Sequence, residues 1–407
     1  MAGPLSGYRV LDMSRVLAGP WAGQLLADLG AEVIKIERPK VGDDTRHWGP
    51  PYLKDTAGND TEDAAYFFSA NRGKRSLTVD ITQPEGQAII RELAAKVDVL
   101  IENYKVGGLA KYGLDYSSLK EINPKLVYCS ITGFGQTGPY AHRPGYDFLI
   151  QGMGGLMSVT GEPDGEHGGG PTKVGVAVTD IFTGLYAANA IQGALLERHS
   201  SGQGQSIDLA LLDVQAAVMA NQASNYLIGG QIPGRLGNAH PNIVPYQAFA
   251  TLDSHIIVAV GNDEQFSRFC QVLGQPSWPS NPLYTTNANR VKNRQDLCAS
   301  IAKSLKSRAS QDWLNAFESH SVPCGPINSI DEVFTDPQIV FRNMVVTMDD
   351  KRSSEIKLVA NPINYSRSHI EYKSAPPELG AQTNSVLHDY LDYPESKLKD
   401  LHAKNII

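Results

Sequence analysis

The sequence predicts an α/β protein: a large domain built on an open, Rossmann-like parallel sheet, accompanied by a smaller α/β domain. Two observations carry the large domain. Short runs rich in Val, Ile and Leu alternate with helix-length segments through the first two hundred residues, and small or polar turn residues separate them. A third observation is the change of character after the polar stretch His199–Gln205. Beyond it, strand and helix signals from Val244 to Ser319 stand apart as a second domain.

In order, Tyr8–Met13 reads as a first strand, followed by a small-residue turn and a helix patterned on Gln24, Leu25, Leu26 and Leu29. Gly30 ends that helix. Val33–Ile36 is a second strand and Ser76–Asp80 a third; a helix over Gly86–Lys96 leads to the fourth, Val97–Glu102. Asp115–Asn123 is a helix and turn before the strand Leu126–Ile131. Strands that alternate with helices require crossover connections, hence a parallel sheet. The division expected is 1–200 for the N-terminal part of the large domain, 201–225 as linker, and 226–330 as the small domain. Residues 331–407 form a second linker and a C-terminal part ending in a polar helix near Thr383–Leu391.

Composition bounds the function. A length of 407 residues, with 42% hydrophobic and 19% charged content, is that of a globular protein large enough for two cores. The formal net charge of −7 argues against nucleic acid or an anionic membrane as partner, so an anionic ligand must meet local positive charge. Cys129, Cys270, Cys298 and Cys324 are scattered, with no CxxC pair and no His at ligand spacing; this predicts free thiols, a reducing compartment and no metal. There is no apolar run long enough to span a bilayer and no signal-peptide pattern. A cytoplasmic location is expected, or a mitochondrial matrix after removal of a transit peptide. No GxGxxG fingerprint follows the first strand, so the sheet alone implies no dinucleotide cofactor.

Asp180, in Pro171–Gly184, lies between a small-residue apolar run and the start of a helix. An Asp there is ordinarily an N-cap. The cap does not exclude a nucleophile, because a helix N-terminus favours the carboxylate anion. Ligands of open parallel sheets lie at the carboxyl ends of strands, where this chain carries Val16–Pro20, Glu37–Pro39 and Glu102–Lys105. Ala18 and Gly19 permit close backbone approach, while Arg38, Lys74, Arg75, Lys105 and Lys111 offer charge to phosphates, or are solvated surface charges.

These segments, with Gly42–Pro51, Asn71–Ser76, Gly133–Pro139 and Gly145–Asp147 in the same order, resemble the class III coenzyme A transferases, the formyl-CoA transferase-like family. The resemblance covers essentially the whole chain. It looks closest to the succinate-hydroxymethylglutarate CoA-transferase branch through Tyr226–Gly229, Ile243–Phe249 and Gly325–Asn328. It implies Asp180 as the catalytic aspartate. Coenzyme A would meet Val16, Leu17, Ala18, Arg38, Val79, Asp80, Ile81, Thr82, Asn103, Tyr104, Lys105, Lys111, Arg143, Tyr146 and Asp147. Gly237, Asn238 and His240 would approach the acyl group from the small domain, where the formyl-CoA enzymes have a run of glycines.

The resemblance further implies coenzyme A as a substrate with no tightly bound cofactor, and a homodimer of interlocked chains. The chemistry it implies is attack of Asp180 on an acyl-CoA thioester, through aspartyl anhydride and aspartyl-CoA thioester intermediates. Leu17 replaces the Gln that the formyl-CoA enzymes carry, which points away from oxalate and formate. The branch resemblance implies succinyl-CoA with a small dicarboxylate such as glutarate, hydroxymethylglutarate or itaconate. A cation for the distal carboxylate is then required, and Arg46, Arg72 and His240 are the candidates; Arg46 equally suits an ion pair with a neighbouring acid. The alternatives are a transferase for oxalate, formate or another monocarboxylate, an acyl-CoA racemase of the same fold, and a non-catalytic acyl-CoA binder. Tyr146 stands where the related racemases carry His, which speaks against proton shuttling.

Overall fold

The computed structural model describes residues 2–407 and divides them into two compact units. One comprises the chain up to Gly154, Gly175–Met219 and Pro337–Ile407; the other comprises Gly155–Val174 and Ala220–Asp336.

The first unit is organised by six parallel strands: β1 (Arg9–Asp12), β2 (Glu32–Glu37), β3 (Lys74–Thr78), β4 (Val99–Glu102), β5 (Val127–Thr132) and β6 (Ser206–Ala210). Their order is β3-β2-β1-β4-β5-β6, with every neighbouring pair parallel. This is the doubly wound order, in which the chain reverses direction across the sheet between β1 and β4. Side chains alternate between faces along each strand, so Leu11, Ile34, Ile36 and Leu100 enter one core while Val10, Val33, Val99 and Ile101 enter the other. Burial on both faces explains why the strands read as continuous apolar runs.

Helices of this unit include α1 (Ala18–Asp28), α2 (Pro84–Ala94), α3 (Tyr116–Ile122), α4 (Asp147–Met153), α5 (Val178–Ser201) and α6 (Leu211–Val218). Gly30, at φ 100°, closes the turn after α1 as expected. Gly202, at φ 73°, ends α5 and donates its N–H to Arg198 O at 2.8 Å.

The stretch read as a linker, 201–225, instead holds the edge strand β6 and α6. Ser206–Ala210 lies at the sheet edge and is only partly covered, with polar Ser206 and Asp208 exposed, so it lacks the apolar run that marks an interior strand. β3 begins two residues before the expected Ser76, and its first residues, Lys74 and Arg75, have charged side chains engaged in ion pairs.

The C-terminal segment completes this unit. Thr383–Leu391 is helical as expected, and Thr383 Oγ1 accepts the N–H of Thr78 at 3.1 Å. A further helix, Glu395–Ala403, and the hairpin Val345–Asp350 with Ser354–Val359 were not separately resolved by pattern.

In the second unit, Tyr246–Ala250, His255–Ala259 and Cys324–Pro326 form a three-stranded antiparallel sheet. Its core is aromatic: the rings of Trp313 and Phe269 stack on Phe317 at 5.5 and 5.3 Å. The four cysteines are unpaired, and no helix among the described residues is long and apolar enough to cross a membrane.

Candidate active site

Where the strand order reverses, the ends of β1 and β4 leave a crevice, and the loops that follow them are bonded to one another. Asn103 Oδ1 accepts the N–H of Arg15 at 2.9 Å, while its Nδ2 donates to Arg15 O at 2.7 Å. The chain then passes through Val16, at φ 72°, into α1. A cleft in the first unit is lined by Arg15, Val16, Leu17, Ala18, Asn103, Tyr104, Lys105, His142, Arg143, Tyr146 and Asp180, among others. The structure thus gathers nine of the sequence-predicted residues into one site.

Asp180 is half-buried in the first turn of α5 but does not cap it: the N-cap is Ala177, which has no side-chain cap. Asp147 serves that purpose from α4. Its Oδ1 accepts the N–H groups of Thr179 at 2.9 Å and Asp180 at 3.3 Å, and its Oδ2 accepts from Gln151 Nε2 at 2.7 Å. The first-turn donors are therefore occupied by a different carboxylate.

This reverses the expectation that the helix end holds Asp180 as an anion. Burial, then the negative charge of Asp147, pushes the Asp180 carboxyl up to about 7. Its oxygens accept no hydrogen bond from any described residue. A half-buried, uncapped carboxylate whose pKa is raised is more basic and more nucleophilic than an ordinary Asp. Asp147, in turn, is not open to coenzyme A in the way the resemblance implies, since both of its oxygens are committed to α5 and Gln151.

Tyr66 was not anticipated. Burial and the charges of Asp180, Asp147 and Asp43 push its phenol up to about 12, which puts it within electrostatic reach of the nucleophile candidate. Its ring meets Trp48 edge-on at 5.4 Å.

Several predicted cations are spent inside the fold. Arg46 Nε and Nη2 bond both oxygens of Glu37 at 2.8 Å, Nη1 bonds Asp63 at 2.7 Å, and the guanidinium lies over the Phe67 ring. The ion-pair reading of Arg46 therefore holds, with acids distant from Asp44, and its side chain is only 2% exposed. Arg72 grips Asp28 through Nε and Nη2 at 2.8 and 2.7 Å and donates Nη1 to Val359 O. Neither guanidinium is available to a substrate carboxylate. Lys74 is likewise buried against Asp12 at 2.8 Å, and burial lowers its pKa to about 8; Arg75 pairs with Glu32 and Asp389.

Other expected contacts lie outside this cleft's lining. Arg38 is exposed, 3.7 Å from Asp44, and Lys111 is exposed over the Tyr112 ring at 4.6 Å. Val79 and Ile81 are buried, and Asp80 Oδ1 accepts from Thr82 N and Oγ1 at 2.9 and 2.7 Å in the turn after β3. Arg15 and His142, which do line the cleft, were missed as site residues. Arg15 bonds Asp44 at 3.2 Å, whereas Arg143 rests against Phe134 and Tyr140 and pairs with no acid among the described residues.

In the second unit, Gly237 has φ 57°, donates its N–H to Gly161 O at 3.0 Å, and has Glu162 where a Cβ would point. Asn238 is exposed. His240 Nδ1 accepts the N–H of Asn242 at 3.0 Å, and burial, then Arg294, lowers its pKa. No group of three or more His, Cys, Asp or Glu side chains among the described residues is arranged to hold a metal ion.

The comparisons with known proteins agree with the architecture. A structure of a CAIB/BAIF family protein from Brucella suis superimposes with a TM-score of 0.83 at 49% identity, covering 96% of this chain and 100% of that one. The chain is 53% identical to a succinate–glutarate CoA-transferase of Agrobacterium fabrum over 94% of its own length and 95% of the relative's. It is 43% identical to the succinyl-CoA:glutarate CoA-transferase of Mus musculus, over 99% and 90%. The model of CoA-transferase family III matches residues 5–383. With a doubly wound sheet, Asp180 in the cleft at its switch point and this match across the chain, the protein belongs to CoA-transferase family III.

Proposed function

We propose that this enzyme moves coenzyme A from succinyl-CoA to a small dicarboxylic acid such as glutarate, with Asp180 as the covalent nucleophile. The observation that carries the reading is the place of the Asp180 carboxylate, which accepts no hydrogen bond from any described residue, in a cleft shared with Val16–Ala18 and Asn103–Lys105; burial and the charge of Asp147 raise it to about 7. The names of the most similar relatives support the choice of substrates.

Asp180 attacks the thioester carbonyl of succinyl-CoA, releasing the CoA thiolate and leaving a mixed succinyl-aspartyl anhydride. The thiolate returns to the aspartyl carbonyl, so succinate leaves and Asp180 carries CoA as a thioester. The incoming carboxylate repeats the sequence in reverse. It expels the thiolate to give a second anhydride, and the thiolate then captures the new acyl group and frees Asp180. One thioester is consumed and one formed, so no ATP is needed.

The N–H groups of Leu17 and Ala18 open α1 at the cleft with no acceptor among the described residues. They are suited to the developing oxyanion, a contribution of about 3 kcal/mol per donor in characterised enzymes. Arg143, a cleft cation that like Lys105 pairs with no acid among the described residues, is the candidate for the distal carboxylate or a CoA phosphate. His240, Gly237 and Asn238 are retained as acyl-group contacts on the strength of the resemblance alone, as are Arg38, Val79–Thr82 and Lys111 for coenzyme A. Coenzyme A enters and leaves as substrate, without a resident cofactor, in the cytoplasm or a mitochondrial matrix. The interlocked homodimer belongs to the same proposal, and a monomeric mass by light scattering would contradict it.

The test is purified enzyme with succinyl-CoA and a panel of mono- and dicarboxylic acids, with new acyl-CoA species followed by mass. New thioesters from dicarboxylates, absent with Asp180→Ala, support the reading. α-Proton exchange on a branched acyl-CoA without transfer would replace it with racemase chemistry.

A further inference from the structure

Five consecutive backbone groups between β1 and α1 are each held by a side chain. Asp12 Oδ1 accepts the N–H of Ser14 at 3.0 Å, Lys35 Nζ donates to Ser14 O at 3.0 Å, and Asn103 takes both polar groups of Arg15. Asp43 Oδ1 then accepts the N–H of Val16 at 3.3 Å. Val16 sits at φ 72°, a region that a β-branched residue occupies only when its surroundings hold it there.

Asp43 is itself fixed from three sides. Lys35 Nζ binds its Oδ2 at 2.8 Å, Thr45 donates N–H and Oγ1 to Oδ1 at 3.0 and 2.8 Å, and the side chains of Lys35 and Asp43 are both 0% exposed. A buried ion pair is a poor source of net stability compared with apolar packing, so its place beneath a catalytic loop calls for another role. The next residues in the chain, Leu17 and Ala18, line the cleft with Asp180.

We infer that Lys35 and Asp43 are positioning residues: their buried pair clamps Val16 in the left-handed conformation and so aims the Leu17 and Ala18 N–H groups at the reacting thioester. This rests on the reading of the cleft as the acyl-transfer site. Both side chains are fully buried and lie outside the cleft lining. Lys35 sets both ends of the clamp, because one ammonium binds Ser14 O and the carboxylate that holds Val16.

The experiment compares the unaltered enzyme with Asp43→Ala, Asp43→Asn and the pair Asp43→Ala with Val16→Gly, each measured for kcat, KM for acyl-CoA and Tm. Asp43→Ala should lower kcat by about 10- to 100-fold, the scale expected of a misplaced catalytic group, with KM within about threefold. Glycine adopts the left-handed region freely, so adding Val16→Gly should restore kcat by about threefold or more without a matching rise in Tm. Asp43→Asn, nearly isosteric, keeps an oxygen for Val16 but turns an amide toward Lys35, and should lower kcat without raising KM.

A kcat that follows only the folded fraction, or no recovery with Val16→Gly, would overturn the inference. If Asp43→Ala does not fold, folded Asp43→Asn with unaltered kcat does the same. Transfer by the unaltered enzyme together with an undiminished kcat in the variants overturns this inference alone; no transfer by the unaltered enzyme overturns the parent reading as well.

Discussion

Asp147 Oδ1 accepts the backbone N–H of Asp180 at 3.3 Å, so one carboxylate caps the helix whose first turn presents the other. The arrangement separates two tasks that a lone Asp at a helix start would combine. Asp147 takes the favourable end of the helix, and Asp180 is left basic by burial and by its neighbour's charge.

The first prediction concerns pH. As the proposed nucleophile, Asp180 would act as its anion, so kcat/KM should rise with pH and level off above about 7. Asp147→Asn keeps an oxygen for both N–H groups but removes the charge. The rising limb should then move to lower pH by about one unit. A pH–rate profile of the variant that coincides with the parent's would contradict this.

Stability should carry the opposite signature. The carboxyl of Asp180 is raised in the folded protein, so its contribution is full below its unfolded value near 3.8 and is lost as pH rises through about 7. Asp180→Asn removes that loss. Its Tm should exceed the parent's at pH 8 by about 1–3 °C and approach it at pH 5; a difference independent of pH would count against a raised carboxyl.

Arg72 joins Asp28 on α1 to Val359 in the C-terminal segment, with a side chain 5% exposed. Arg72→Ala leaves Asp28 buried with only Asn361 as a side-chain partner among the described residues, and should cost about 3–5 kcal/mol in denaturant unfolding. KM for the dicarboxylate in the folded variant should be unchanged. A raised KM at full stability would return Arg72 to the substrate site.

Arg143 differs in kind, since it pairs with no acid among the described residues and rests on two aromatic rings. Arg143→Ala should raise KM about 10- to 100-fold, the scale of losing one charge-assisted contact, with Tm little changed. Whether the rise falls on the dicarboxylate or on acyl-CoA identifies its partner in steady-state kinetics.

How far the sequence was legible follows from these residues. β1, β2, β4 and β5 declare themselves because burial on both faces demands apolar runs, and Gly30 marks the end of α1 through its backbone. Asp180 is found because its neighbours share an order with known enzymes. The pairing of Arg46 with Glu37 and Asp63, or of Arg72 with Asp28, leaves no local trace: a buried guanidinium and a solvated one look alike until the fold brings the distant acid to it. For the same reason Tyr66 was overlooked. The capping role of Asp147 leaves no trace in the sequence, because capping between separate helices cannot be read from the spacing within either one.

The central claim, that Asp180 becomes covalently bound to coenzyme A, is tested most directly by mass. Enzyme mixed with succinyl-CoA and no acceptor should gain one CoA in thioester linkage, release one succinate, and carry the adduct on the peptide containing Asp180. Transfer of CoA to glutarate by an enzyme that never carries CoA on that peptide, or by Asp180→Ala, would contradict the account.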